Sequence, residues 1–227
     1  MYKNLICTAI VVAGGMGLRF GGDLPKQFLP LGGKPVIRHS LAAFDANNFV
    51  DKIIIVAPAQ FWDACRDMGI SKLSQVVEGG KTRKQSVAAG LTHADGGLVL
   101  IHDAARPFVP LAQTEALLEA AHSHGGATLA TPATDTLKIA DNYMGVDKTL
   151  ERDRVFAVQT PQAFQADVLK KAHALDINDA YDDCQLLEYI GIKPRLIMGD
   201  PINIKITHPM DLEIAEIILA KRSKTDE

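Results

Sequence analysis

The chain has 227 residues, 47% of them hydrophobic, which is enough for one substantial core without a second domain, so we predict a single domain over residues 1–227. A net charge of −3 and a pI near 6.2 provide no broad basic surface, which argues against a nucleic-acid partner. The three cysteines lack zinc or disulfide spacing, and no apolar run approaches about 18 residues, so we expect a cytoplasmic protein without a membrane segment.

Hydrophobic periodicity predicts alternating strands and helices along the first part of the chain. Residues 5–12 form an apolar run whose length and β-branched content suit a strand buried on both faces of a parallel sheet. The pattern then predicts, in order, a helix at 36–46, a strand at 52–57, a helix at 60–68, a strand at 74–78, a helix at 83–94 capped by Thr82, a strand at 98–102, a helix at 111–124 and a strand at 127–131. This rhythm is typical of an α/β fold.

The rhythm breaks at residues 136–154, where polar and apolar residues alternate around Asp141, Asn142 and Gly145 without filling a helical face. This pattern predicts a β-hairpin that projects from the domain. Beyond it we expect an extended return at 155–159, a turn at 160–162, helices at 166–174 and 182–190, strands at 195–198 and 203–206, and a closing helix at 209–220. The polar terminus at 222–227 is predicted to be disordered.

A glycine-rich loop follows the first strand. Gly14, Gly15 and Gly17 lack side chains, so backbone N–H groups there can approach an anion closely. Arg19 and Lys26 add two cations, which suits the several charges of a nucleoside triphosphate. The alternative is an ordinary glycine-rich connection that carries solvated charges.

Two well-known nucleotide loops do not match this segment. A dinucleotide fingerprint needs a third glycine where Phe20 stands and a helix directly afterwards, which Pro25, Pro30 and Pro35 forbid. The G-x-x-x-x-G-K-[ST] pattern of a P-loop is also missing from the sequence. The loop therefore predicts phosphate binding of another kind.

A second glycine pair ends at Gly80, shortly before a helix whose first turns carry Arg83 and Ser86. Helix amino termini favour anionic groups, although this segment alone fits an ordinary strand-to-helix turn slightly better. Asp103 follows the fourth strand, where a carboxylate facing phosphates could hold Mg²⁺, or could simply cap a turn. The preceding His102 is interpreted as a packed, hydrogen-bonded histidine.

The lysine at 205 and the acidic pair at 182–183 each allow two interpretations. Lys205 alternates with apolar neighbours, so it points away from them and either reaches phosphates or forms a salt bridge. Asp182 and Asp183 invite a metal interpretation, but adjacent residues do not face together on a helix, so capping is favoured.

The glycine loop and its continuation carry a family resemblance. The run G-G-M-G-L-R at 14–19, then P-K-Q-F-L-P-L-G-G-K-P at 25–35, resembles the opening signature of nucleotidyltransferases that join a nucleoside triphosphate to a sugar or polyol phosphate. Lys26-Gln27-Phe28 points to the 2-C-methyl-D-erythritol 4-phosphate cytidylyltransferase family. Five further motifs follow in family order, namely G-G-x-x-R-x-x-S-V, H-D-A-A-R-P, T-P-x-x-D-T-x-K, T-P-Q and N-I-K-I-T.

The resemblance implies a nucleotidyltransferase fold, Rossmann-like, with a mostly parallel twisted sheet flanked by helices. It implies that the hairpin at 136–154 is an arm that clasps a second copy in a homodimer, and that CTP, a polyol phosphate and Mg²⁺ bind. By resemblance, the residues that contact the nucleotide are Ala13, Gly14, Gly15, Gly17, Gly80, Arg83, Ser86, Asp103 and Ala104. The residues that contact the acceptor are, by the same resemblance, Asp103, Arg106, Thr136, Arg152, Thr160 and Lys205. The resemblance also implies that Arg19, Lys26 and Lys205 are catalytic and that Asp103 holds the metal. The backbone near Gly80 and the Ser86 hydroxyl would read the cytosine edge.

Two departures from the family pattern leave the acceptor open. Val12 and Gly14 stand where methylerythritol enzymes usually carry Pro and Ala, and the resulting opening is closer to ribitol-phosphate cytidylyltransferases. Ribitol 5-phosphate is therefore the alternative acceptor. A non-catalytic nucleotide-binding module is a further alternative, although it would have no reason to retain Lys26, Asp103 and Lys205 together.

Overall fold

The computed structural model describes residues 1–15, 24–177 and 180–223. Its strands are β1 (Cys7–Val12), β2 (Pro30–Leu31), β3 (Lys34–Pro35), β4 (Lys52–Val56), β5 (Leu73–Val77), β6 (Leu98–Asp103), β7 (Gly126–Pro132), β8 (Lys138–Ala140), β9 (Val146–Thr149), β10 (Phe156–Gln165) and β11 (Arg195–Met198). Its α-helices are α1 (Val36–Ala46), α2 (Trp62–Arg66), α3 (Arg83–Leu91), α4 (Thr114–His124), α5 (Ala166–His173), α6 (Asp183–Tyr189) and α7 (Pro209–Ser223).

Within the described residues, seven strands form one sheet in the order β11-β7-β10-β6-β1-β4-β5. Strand β1 is an interior strand next to the central β6, and it pairs in parallel with β4 and β6. Strand β10 runs antiparallel to both of its neighbours, β6 and β7. The mostly parallel α/β sheet predicted from the sequence is therefore confirmed.

Helices cover both faces of the sheet because successive strand residues point to opposite sides. In β1, the side chain of Val11 packs in one core cluster with Leu41 of α1 and Leu117 of α4. The adjacent Ile10 packs in a second cluster with Val87 of α3 and Leu169 of α5. All six of these side chains are 0% exposed, so burial on both faces fixes the strand.

The predicted hairpin is present. Strands β8 and β9 pair antiparallel in a small sheet of their own, and all residues from 134 to 149 are exposed. Several large apolar side chains are among them, including Ile139, Tyr143, Met144 and Val146. The hairpin therefore carries apolar surface that its own domain leaves uncovered.

Four sequence predictions need correction. The helix predicted at 60–68 is a 3₁₀ turn at Ala59–Phe61 followed by the five residues of α2. The turn predicted at 160–162 lies inside β10, where the register shifts between Val158 and Gln162 and the Thr160–Pro161 peptide is cis. Residues 203–206 are not a strand, since the backbone N–H groups of Asn203, Ile204 and Ile206 donate to carbonyls of loop residues and not to a neighbouring strand. Arg222 is helical, and residues 224–227 of the predicted disordered end lie outside the described residues.

No helix in the described ranges combines the length and the apolar character needed to cross a membrane.

Candidate functional site

Loops at the carboxyl ends of β1, β5 and β6 surround a cavity of about 310 Å³, the glycine-loop cavity. Ligands of open α/β sheets bind at this end of the strands. The cavity is lined by these residues of the predicted site: Ala13, Gly14, Gly15, Lys26, Gly80, Arg83, Ser86, Asp103, Ala104 and Lys205. Ten residues predicted from separate motifs thus meet in one place.

A second cavity of about 500 Å³, the β10 cavity, lies beside the first. Of the six predicted acceptor residues, Asp103, Arg106, Thr160 and Lys205 line it. Three residues, Arg83, Asp103 and Lys205, line both cavities. These three charged side chains therefore stand where the two cavities adjoin.

The remaining predicted site residues fall elsewhere. Thr136 and Arg152 belong to the hairpin segment and line neither cavity. Arg152 is exposed, and its Nη1 donates to the Thr134 carbonyl at 3.4 Å. Gly17 and Arg19 lie outside the residues that the structure describes.

Gln27 anchors the first glycine loop. Its side-chain amide nitrogen donates to the carbonyls of Ala13 at 2.6 Å and Gly15 at 3.0 Å, and the side chain is nearly fully buried. These bonds orient the loop carbonyls toward Gln27. The sequence indicated Gln27 only as part of the Lys26-Gln27-Phe28 motif, because residue spacing does not show which backbone groups a glutamine side chain reaches.

Ser86 fixes the second glycine loop. Its hydroxyl oxygen accepts the Gly80 N–H at 3.1 Å and donates to the Thr82 carbonyl at 3.0 Å. A Cβ placed on Gly80 would lie 2.2 Å from the Cβ of Gln85, so only glycine fits this turn. Thr82 and Gln85 form a reciprocal capping box at the start of α3, which confirms the predicted cap.

An ionised carboxylate lies at the junction of the two cavities. Asp103 Oδ1 is 3.2 Å from Arg83 Nε, and its Oδ2 is 2.6 Å from Lys205 Nζ. Burial alone would raise the pKa of Asp103, but the charges of Arg83 and Lys205 outweigh it and hold that pKa well below its usual range. The salt bridge to Lys205 is one of the two interpretations that the sequence allowed.

The acidic pair at 182–183 divides into two roles. Asp182 Oδ1 accepts the Gln185 N–H at 2.9 Å and caps α6, as predicted. Asp183 does not serve as a cap. It is buried, with its oxygens 2.6 Å from Arg83 Nη1 and 2.9 Å from His173 Nε2. The sequence missed this contact because Arg83 and Asp183 are 100 residues apart in the chain.

His102 is the packed, hydrogen-bonded histidine that the sequence predicted. It is 0% exposed; its Nε2 lies 3.0 Å from the Arg106 carbonyl and its Nδ1 lies 3.1 Å from Thr160 Oγ1. A carbonyl only accepts, so Nε2 carries the hydrogen and the neutral ring's Nδ1 accepts from Thr160. The Thr160 oxygen in turn accepts the Asp103 N–H at 3.1 Å, so this histidine ties β6 to β10 at the site.

The buried ring makes stability depend on pH. Burial lowers the pKa of His102 from 6.5 to about 4, so between these values the unfolded chain binds a proton that the folded chain does not. Stability should therefore fall by about 2 kcal/mol between pH 7 and pH 5 on account of this residue. Urea unfolding at both pH values should show a smaller fall for His102→Gln, whereas the exposed His124→Gln should match the parent. An equal pH response in His102→Gln would contradict this assignment.

The described residues contain no group of three or more His, Cys, Asp or Glu side chains able to hold a metal by themselves. Asp103 supplies one ionised carboxylate, with each oxygen bonded to a cationic side chain. Mg²⁺ in nucleotide sites is commonly bound by one or two carboxylates together with substrate phosphates and water. The chemistry of Asp103 therefore fits a metal that arrives with phosphates, and does not fit an ion held by the protein alone.

Comparison with known proteins identifies what this arrangement resembles. The family model described as "IspD: 2-C-methyl-D-erythritol 4-phosphate cytidylyltransferase" matches residues 7–221. A protein of that name from Dechloromonas aromatica is 42% identical over 223 residues, covering 94% of this chain and 97% of the relative. Another from Geotalea uraniireducens is 40% identical over 224 residues, covering 93% and 96%.

Solved structures of similar proteins share the fold of this chain. The crystal structure of 4-diphosphocytidyl-2C-methyl-D-erythritol synthase from Anaerococcus prevotii superposes with a TM-score of 0.85 at 30% identity, covering 96% of this chain and 98% of that one. The 2-C-methyl-D-erythritol 4-phosphate cytidylyltransferase from Thermus thermophilus gives a TM-score of 0.77 at 33% identity, covering 93% and 98%. The family match at residues 7–221 includes the segments of the sheet, both glycine loops and the hairpin.

Proposed function

Because the chain belongs to the 2-C-methyl-D-erythritol 4-phosphate cytidylyltransferase family, it is a nucleotidyltransferase, and we propose which substrate of the reaction binds in each of its two cavities. That reaction transfers CMP from CTP to 2-C-methyl-D-erythritol 4-phosphate and gives 4-diphosphocytidyl-2-C-methyl-D-erythritol and pyrophosphate, a step of non-mevalonate isoprenoid precursor synthesis. CTP occupies the glycine-loop cavity and the acceptor occupies the β10 cavity.

The observation that carries this division is the set of three charged residues shared by the two cavities. The acceptor phosphate must reach the α-phosphorus of CTP, so the reacting atoms must meet where the cavities adjoin. Arg83 and Lys205 supply positive charge at that junction, and Asp103 holds both of them in place. This arrangement lets two anionic substrates approach each other.

The chemistry at the junction is an in-line displacement. An oxygen of the acceptor phosphate forms a bond to the α-phosphorus, and the bond from that phosphorus to the pyrophosphate oxygen breaks. The nucleophile is already an anion, so no general base is needed, and the protein acts by positioning and by stabilising charge. Lys26 and Lys205 serve this purpose in the described part of the chain, and Arg19 is proposed to do so with them.

We propose Mg²⁺ as the cofactor, bound with the triphosphate and with Asp103 as its protein carboxylate. When bound, the ion would neutralise phosphate charge. The ionised state of Asp103 supports this role. Lys205 would then exchange part of its contact with Asp103 for contact with phosphate.

Base selection is proposed to depend on the loop that Ser86 holds. In Ser86→Ala the Gly80 N–H loses its acceptor, so the loop shifts and the preference for CTP over UTP should fall by about tenfold. Steady-state kinetics with both nucleotides measure this ratio. Thr92→Ala, at the other end of α3, removes a hydroxyl that bonds only within the helix and serves as the matched control. An unchanged ratio in Ser86→Ala would assign base selection to the backbone alone.

The exposed hairpin supports a homodimer. A two-stranded hairpin is only marginally stable by itself in water, and this one exposes Tyr143, Met144 and Val146. We propose that the two hairpins of a dimer clasp each other and that Thr136 and Arg152 complete the acceptor site of the partner subunit. Their position outside both cavities of their own chain agrees with this proposal.

We also propose that the protein acts in the cytoplasm and binds no nucleic acid, as its composition predicts. Cys7, Cys65 and Cys184 are buried free thiols, which suits a reducing compartment.

A pyrophosphate-release assay tests the proposed reaction. The assay should compare ATP, CTP, GTP and UTP with 2-C-methyl-D-erythritol 4-phosphate and with ribitol 5-phosphate, and release should require CTP and the methylerythritol acceptor. The named relatives favour that acceptor over ribitol 5-phosphate. Release with ribitol 5-phosphate alone would overturn the acceptor. CTP binding without turnover on either acceptor would instead favour a non-catalytic nucleotide-binding module.

A further inference from the structure

A row of charged and polar groups leads from the half-buried Arg83 at the junction of the cavities to the buried Asp183 and to His173. Arg83, at the start of α3, contacts Asp103 on one side and Asp183 on the other. Asp183, at the start of α6, contacts His173 at the end of α5. Neither Asp183 nor His173 lines the glycine-loop cavity or the β10 cavity.

Asp183 is an unusual residue to bury. Its side chain is 1% exposed, and removing an isolated carboxylate from water is strongly unfavourable unless each oxygen finds a donor. Arg83 Nη1 supplies one donor at 2.6 Å and His173 Nε2 supplies the other at 2.9 Å. Burial would raise the pKa of Asp183, but the nearby Arg83 and His173 lower it, so the group is a carboxylate and only accepts. The Nε2 atom of His173 therefore carries the hydrogen.

This arrangement decides where the Arg83 guanidinium points. An arginine beside a single carboxylate tends to form two parallel bonds with it. Here Arg83 Nη1 donates to Asp183, so Arg83 contacts Asp103 through Nε at 3.2 Å. Asp103 Oδ2 is then available to accept from Lys205. Arg83 is bonded to Asp103 through Nε and to Asp183 through Nη1, and it lines both cavities. Its orientation there depends on a residue that lies outside both.

We propose that His173 and Asp183 are positioning residues that orient Arg83 at the junction between the nucleotide and the acceptor. His173 holds Asp183, and Asp183 holds Arg83. The catalytic part of this inference rests on the proposed function, whereas the geometric part does not.

The first experiment observes Arg83 directly. In ¹⁵N-labelled protein the Arg83 Nε–H resonance is identified by its loss in Arg83→Lys. His173→Phe keeps a ring of similar shape but removes the donor, and should shift or broaden this resonance. His173→Gln restores an N–H at a similar reach and should return it close to its original position. Leu169→Val, a buried change in the same helix without a hydrogen bond, should leave it unchanged. If His173→Phe does not fold, Asp183→Asn should give the same shift.

The second experiment measures coupling through catalysis. A hydrogen bond to a charged group is strong enough that His173→Phe should lower kcat by about tenfold, and His173→Gln should recover most of the loss. In an Arg83→Ala background the same His173→Phe change should alter kcat by less than about twofold, because the residue it acts through is gone.

An unmoved Arg83 resonance in His173→Phe would overturn the positioning role. So would an undiminished tenfold loss in the Arg83→Ala background. Absence of CTP-dependent turnover in the parent protein would overturn the proposed function instead, and the Arg83 resonance would still decide the positioning role.

Discussion

Lys26→Ala should lower kcat for cytidylyl transfer by about 10²- to 10³-fold, while the KM for CTP changes much less. A preorganised donor that acts on charge developing in the transition state contributes about 2.7 to 4 kcal/mol where such donors have been removed. Lys26 lines the glycine-loop cavity, and the adjacent Gln27 is bonded to the carbonyls of Ala13 and Gly15. The backbone that carries this cation is therefore fixed to the loop before substrate arrives.

Steady-state kinetics over a range of CTP concentrations at saturating acceptor measure both kcat and the KM for CTP. Lys34→Ala removes one exposed lysine from the neighbouring strand β3 and controls for the change in net charge. A Lys26→Ala enzyme with normal kcat and only a raised KM would assign Lys26 to uniform binding of the ground state.

Arg152→Ala and Lys26→Ala chains, each nearly inactive alone, should recover up to about one quarter of the parent activity when they are refolded together. Random mixing makes about half of the dimers mixed. In a mixed dimer, one of the two sites carries Lys26 from its own chain and Arg152 from the partner. The recovery follows if the exposed Arg152 pairs with the acceptor phosphate bound to the partner subunit.

Two affinity tags allow the mixed dimers to be isolated and counted. Each mutant refolded with itself is the control and should stay inactive. No recovery in isolated mixed dimers would place Arg152 in its own subunit's site or outside any site. A monomeric protein at assay concentration would contradict the clasped hairpins.

The family match at residues 7–221 includes both positions, Val12 and Gly14, at which the sequence departs from the usual pattern of methylerythritol enzymes. In the structure a Cβ on Gly14 would lie 3.2 Å from Ser86 Oγ, a tight approach that glycine avoids. The departure at Gly14 therefore concerns how the two glycine loops pack together, and it does not by itself indicate another acceptor.

Local patterns in the sequence determined the elements that build the site. A continuous apolar run with β-branched residues located β1, the capping pattern located the start of α3, and the polar alternation after Thr136 located the hairpin. These features depend on residues within a few positions of each other, so periodicity and capping chemistry are enough to find them. By their resemblance to a known family, the motifs likewise predicted ten of the fifteen residues that line the glycine-loop cavity.

Tertiary structure alone decided how those elements meet. The antiparallel position of β10 between β6 and β7, and the non-strand course of residues 203–206, depend on which chain edges are available for pairing. The carboxylate of Asp103 keeps its charge because Arg83 and Lys205 approach it from distant parts of the chain. These ion pairs join residues that are 20 and 102 positions apart and have no fixed spacing in sequence, so no local pattern encodes them.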